Sequence, residues 1–86
     1  MPEICRFYGI IIRMFYDDHN PPHFHAFYGD DEGWVNINTL AVFSGSLPSR
    51  ALGLVIEWAS MHQDELRHYW ELAKNQQKPE RIMPLK

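Results

Sequence analysis

Through the first half of the chain, apolar residues fall in short β-branched and aromatic runs separated by clusters of Gly, Pro, Asn and Asp. That pattern predicts strands joined by tight turns. The run over 10–16 puts Ile10, Ile12, Met14 and Tyr16 on one face and Ile11, Arg13 and Phe15 on the other, so it reads as a strand covered in part on both sides. Residues 4–8 before it form either a short strand of their own or the start of the same strand, interrupted at Gly9. Asp17-Asp18-His19-Asn20-Pro21-Pro22 then forces a turn, because two successive prolines fix two φ angles and remove two backbone donors. A strand follows over 23–28. The acidic segment from Gly29 to Gly33 closes it, and residues 34–38 and 40–43 supply two more. Connections this short require antiparallel neighbours, since a parallel crossover takes about a dozen residues.

From Pro48 the spacing turns helical, and the next proline is Pro79, which predicts one long helix over 48–75. Gly53, Glu57, Ser60, Asp64, Arg67, Glu71 and Lys74 recur at steps of three and four and form a solvent face. Opposite them lie Val55, Ala59, His62, Leu66, Tyr69 and Ala73. Such a helix is roughly 40 Å long, against roughly 30 Å for a globule of this size. An overhang into a second subunit is therefore expected, with a homodimer contact through the helix flank at Leu54, Trp58 and Met61. The apolar tail over 79–86 is expected to pack back on the domain or a neighbour. The expected architecture is a single α+β domain over 1–86. In it an antiparallel sheet of about four strands packs on one long C-terminal helix, with a short extended tail.

Composition narrows the function classes. With 86 residues, 45% hydrophobic and 14% aromatic, the chain has room for one core and no reason to be disordered. Its net charge of -3 excludes a global field that draws in nucleic acid or anionic lipid. RNA stays open as a partner only through a local patch of Arg6, Arg13 and Arg50 near Phe7, Tyr8, Phe15 and Phe27. A single cysteine, Cys5, gives no disulfide framework, and no apolar run reaches the length of a membrane span. A cytoplasmic location is expected.

Candidate chemistry concentrates in Asp17 to His25, D-D-H-N-P-P-H-F-H, which holds three of the five histidines. His23 and His25 stand two apart on a strand, so both side chains leave the same face. Two imidazoles so placed suit a divalent metal (zinc, iron or manganese) or an acid and base pair working near neutral pH. His19, Asp17 and Asp18 lie just across the prolyl turn. The bland alternative is a pair of histidines stacked on neighbouring rings such as Phe27, Tyr16 or Trp34. His62 interrupts an apolar helix stripe, so it is either a core histidine satisfied locally, with Glu65 one turn on, or a third metal ligand beside His23 and His25. In a ribonuclease-like hydrolytic reading, His23, His25 or His19 supply acid and base, and Arg13 or Arg50 binds the phosphodiester. His62 and His68 point about 120° apart on a helix, so His68 is read as a surface residue.

Several segments taken together resemble the bacterial domain-of-unknown-function family four-one-six-zero. They are R-F-Y-G-I-I-I-R-M-F-Y from Arg6, D-H-N-P-P-H-F-H-A from Asp18, G-S-L-P-S-R from Gly45, Glu57-Trp58, H-x-x-E-L from His62, Trp70 and the closing I-M-P-L. The resemblance implies a small prokaryotic protein that accompanies a second small protein, with a toxin and antitoxin role suggested for such pairs and no established activity. It points to His19, Pro21, Pro22, His23, His25, Glu57, Trp58, His62 and Glu65. The family often has Asn where this chain has Tyr69. The leading expectation is a cytoplasmic interaction module, half of a toxin and antitoxin-like pair, with a histidine-rich surface site. The alternatives are the hydrolase and a metal-binding structural domain.

Overall fold

The computed structural model describes residues 3–16 and 18–86. Asp17, among the carboxylates singled out above, lies outside the described residues. Five strands form one antiparallel meander in sequence order: β1 (Glu3–Phe7), β2 (Ile10–Arg13), β3 (His23–Tyr28), β4 (Asp31–Asn36) and β5 (Val42–Gly45). The sheet thus has one strand more than the expected four. Residues 4–8 are a separate strand, because Tyr8 and Gly9 both take positive φ and turn the chain back on itself. The run over 10–16 leaves the sheet after Arg13. β4 begins at Asp31, earlier than expected, since Gly29 and Asp30 make the turn and the acids after them join the strand.

Alternation sorts the sheet into two faces. Cys5, Phe7, Ile10, Ile12, Phe24, Ala26 and Val35 are buried on one, and the register pairs Phe7 with Ile10, Ile12 with Ala26, and Phe24 with Val35. The helix that carries Trp58 covers that face. Trp58 is fully buried, with its ring centre 5.5 Å from that of Phe7 and 5.8 Å from that of Phe24. The other face carries Arg13, His23, His25, Phe27, Glu32 and Trp34.

The expected single helix is two: α1 (Ser49–Ser60) and α2 (Gln63–Lys74). At the junction the Met61 and His62 amides reach back three residues, to the carbonyls of Trp58 and Ala59, and His62 has φ -132°, which no helix continues through. Asp64 and Glu65 in the first turn of α2 favour a new N-terminus there. The break removes the expected overhang: a straight helix of about 40 Å is replaced by two that fit a body of 33 × 25 × 22 Å. The polar stripe keeps its exposure from Gly53 to Lys74 across the break. No helix among the described residues is long and apolar enough to cross a membrane.

The tail packs back as expected. The Ile82 amide donates to the Ile4 carbonyl at 2.8 Å, Trp58 Nε1 donates to the Met83 carbonyl at 2.8 Å, and Arg81 pairs with Glu3 at 3.0 Å. Trp58, expected on the dimer flank, is instead the centre of this core, because its indole bridges sheet and tail. Cys5 is buried under the same layer, and burial pushes its thiol above its ordinary pKa. An alkylating reagent at neutral pH should therefore label Cys5 only as fast as the protein unfolds; labelling at the rate of a free thiol would show that this layer opens in the native state.

Candidate functional site

The site lies on the sheet face away from α1. The strand β3 projects His23 and His25 together, as their spacing predicts, and both rings are buried, 2% and 5% exposed. The expected surface site is thus an interior one. The reason is an aromatic shell: His23 stacks on Trp34 with ring centres 5.4 Å apart and meets Phe43 and Trp70 at 5.2 Å each, while Phe15 sits edge-on to His25 at 4.4 Å. The two histidine rings are 5.2 Å apart.

Polar contacts organise the pair. His23 Nδ1 donates to the Pro21 carbonyl at 2.7 Å, so the prolyl turn, whose Asn20–Pro21 peptide is cis, fixes that ring's orientation. His25 Nδ1 is 3.1 Å from Glu32 Oε2, and the same oxygen accepts Trp34 Nε1–H at 2.8 Å. Those two donors hold the Glu32 carboxyl below the usual carboxylate range, the indole N–H contributing most. On the inner side, Asp18 Oδ2 lies 3.0 Å from His25 Nε2 and 3.1 Å from His23 Nε2. His23 Nε2 is buried and makes no well-aligned hydrogen bond among the described residues. Asp18, His23 and His25 form a group able to hold a metal ion, with one donor atom from each within 4.8 Å of the others.

The remaining candidates are placed elsewhere. His19 is exposed in the turn, outside that group. His62 bonds Glu65 Oε1 through Nδ1 at 2.6 Å and packs on Trp58, so it is satisfied locally and does not join His23 and His25. His68 is exposed, as read from its spacing. Arg13 is opposite His25 in the register, but its guanidinium carbon sits 5.4 Å from the centre of the Phe27 ring, and its Nε is buried without a hydrogen-bond partner among the described residues. Arg50 lies in the first turn of α1 and lines a cleft of about 440 Å³ with Tyr8, Tyr28, Leu54 and Glu57, away from the histidines. Glu32 was missed, although it stands two residues before Trp34 and alternation puts both on the histidine face once β4 starts at Asp31.

The outer face of α1 is the other feature of note. Arg50, Gly53, Leu54, Glu57 and Met61 recur at helical spacing along it, and Met61 (58% exposed) and Met83 (62%) line a second cleft with Glu57 and Leu85. Gly53 needs no special backbone angle, and a Cβ there would meet nothing within 4 Å. Neither the Arg50 nor the Glu57 side chain has an ion pair among those of the described residues.

A family model described as Domain of unknown function (DUF4160) matches residues 9–71, which contain both features. The comparisons with curated proteins and with solved structures returned no match.

Proposed function

We propose, from the premise that this chain belongs to the DUF4160 family, that it is a cytoplasmic bacterial interaction module, one half of a toxin and antitoxin-like pair. In this reading it self-associates through the outer face of α1. The observation that carries the self-association is Gly53. A glycine in a helix interior costs about 1 kcal/mol relative to alanine, and nothing among the described residues comes within 4 Å of where a Cβ would stand. A second helix crossing there would account for it, because helix backbones approach most closely over a residue without a side chain. A two-fold axis beside Gly53 sets Arg50 of each copy against Glu57 of the other, which supplies a partner for two charges that have no ion pair among the described residues. Leu54 and Met61 then extend the contact as apolar flanks, in place of the buried Trp58.

Gly53→Leu separates the two roles of that position. In an isolated subunit it raises helix propensity and leaves or improves stability by about 0.5 to 1 kcal/mol; in the dimer it holds the helices apart. Sedimentation of the variant should show a folded monomer with an undiminished melting temperature, and Met61→Glu should weaken the dimer too. A Gly53→Leu protein that associates like the parent would refute the interface.

A metal-binding structural domain is the second reading, favoured by the convergence of Asp18, His23 and His25, and it is compatible with the first because the cluster and α1 occupy opposite faces of the sheet. The hydrolase reading has less support: its histidines are enclosed by aromatic rings, and Arg50 lines a cleft they do not reach.

A further inference from the structure

We infer that Asp18 Oδ2, His23 Nε2 and His25 Nε2 are three ligands of a single first-row divalent cation, with Pro21 and Glu32 as the outer groups that orient the two rings. The inference rests on the metal-binding reading and names its donors; it does not depend on the α1 interface.

Proton placement on the two rings points to these three atoms. A carbonyl oxygen only accepts, so the 2.7 Å contact with Pro21 puts the His23 proton on Nδ1. His25 has a carboxylate at each ring nitrogen, Glu32 Oε2 at 3.1 Å from Nδ1 and Asp18 Oδ2 at 3.0 Å from Nε2; a proton on Nδ1 answers Glu32, and either a second proton or a cation answers Asp18 at Nε2. In their neutral forms both rings therefore present an Nε2 lone pair inward, toward the same carboxylate oxygen at 3.0 and 3.1 Å. With both rings neutral and protonated on Nδ1, three lone pairs face one another in a buried, aromatic-walled space and repel, and the buried His23 Nε2, without a well-aligned hydrogen bond among the described residues, faces the position a positive centre would take. A divalent ion answers all three at once. Bonds of about 2.0 to 2.2 Å place adjacent ligand atoms roughly 2.8 to 3.6 Å apart between octahedral and tetrahedral geometry, and the two carboxylate-to-imidazole separations fall in that range, near its octahedral end.

The outer groups follow the same logic. Metal-bound histidines commonly donate their second ring N–H to a carbonyl or a carboxylate, which fixes the tautomer and raises the basicity of the ligand nitrogen. His23 has the carbonyl of Pro21 and His25 has the carboxylate of Glu32. Asp18 and Glu32 together carry two negative charges, equal to the charge of the ion. A set of two imidazoles and one carboxylate selects zinc, iron(II) or manganese(II) over calcium or magnesium, which take oxygen donors. Since Asp18 belongs to the prolyl turn and the histidines to β3, the ion would pin that turn to the sheet.

The test uses the full chain, made without a histidine tag and stripped with a chelator, titrated calorimetrically with zinc and followed by cobalt(II) visible absorption. One equivalent should bind, with ligand-field bands of a nitrogen and oxygen site. The imidazole NMR signals of His23 and His25 should move while those of His19 and His68 stay. Asp18→Asn, a near-isosteric change in a half-buried turn, should weaken zinc binding by more than about 100-fold, and Glu32→Gln by about 10-fold. If the folded wild-type protein binds no zinc and its His25 ring carries N–H on both nitrogens, the ligand set and the metal-binding reading fall together. If zinc binds and Asp18→Asn leaves the affinity unchanged, or only His19 and His68 respond, the ligand set is wrong while metal binding stands.

Discussion

Replacing Trp58 by alanine should destabilise the fold by about 3 to 5 kcal/mol, the largest effect expected of any single truncation in the chain. The ring has no exposure, packs against Phe7 and Phe24 of the sheet and against His62 at the helix junction, and ties down the tail through the Met83 carbonyl. Truncation leaves a cavity where three elements meet and orphans that carbonyl, and the surrounding layers have little freedom to close in. Trp58→Phe keeps part of the volume and loses the hydrogen bond, so it should fall between the two. Urea unfolding of the three proteins checks the order. A Trp58→Ala midpoint near that of the parent would mean that tail and helix are not held through this residue.

Gly45→Ala should cost more than about 2 kcal/mol, although it adds one methyl group on an edge strand. Gly45 has φ +71°, and a Cβ there would run into the backbone carbonyl oxygen of Glu32. That backbone cannot yield cheaply: Glu32 is paired with Phe27 in the sheet, its carbonyl accepts the Ser46 amide, and its side chain holds the His25 ring. The damage should therefore reach the histidine site, and the His25 imidazole resonances of the variant should shift even at temperatures where it remains folded. Gly53→Ala, by contrast, should be neutral or stabilising in the isolated subunit, because its Cβ enters open space. Equal costs at the two glycines would contradict the backbone geometry described.

The contrast between these residues also explains what could be read from sequence. Strands β3 and the paired orientation of His23 and His25 followed from period-two alternation between a proline pair and a glycine, signals that are local and strong. The polar stripe from Gly53 to Lys74 was equally readable, yet it could not disclose the break at Met61 and His62, because the two helices keep that stripe exposed across the junction. The acids at 64 and 65, typical of a first helical turn, were the available clue. Trp58 was placed on the dimer flank because its spacing is compatible with an edge position; only the tail, folding back from residue 82 and offering a carbonyl to the indole, makes it the core. For the site, the histidines were found by their density in sequence, whereas Glu32 reaches His25 through a hairpin register that begins earlier than the alternation over 34–38 suggested. Asp18 was noted beside the histidines, but its role as their shared partner depends on how the prolyl turn folds over β3. Burial of the pair was missed because the covering rings come from the segment after β2, from β4, from β5 and from α2.

In the proposed dimer the outer face of α1 meets a second copy of itself. The most direct test is the mass of the untagged full-length chain by light scattering coupled to size exclusion, measured across serial dilution. The account predicts a species of twice the 10.2 kDa chain mass at the high end, dissociating on dilution. A mass of one chain at every concentration would contradict it.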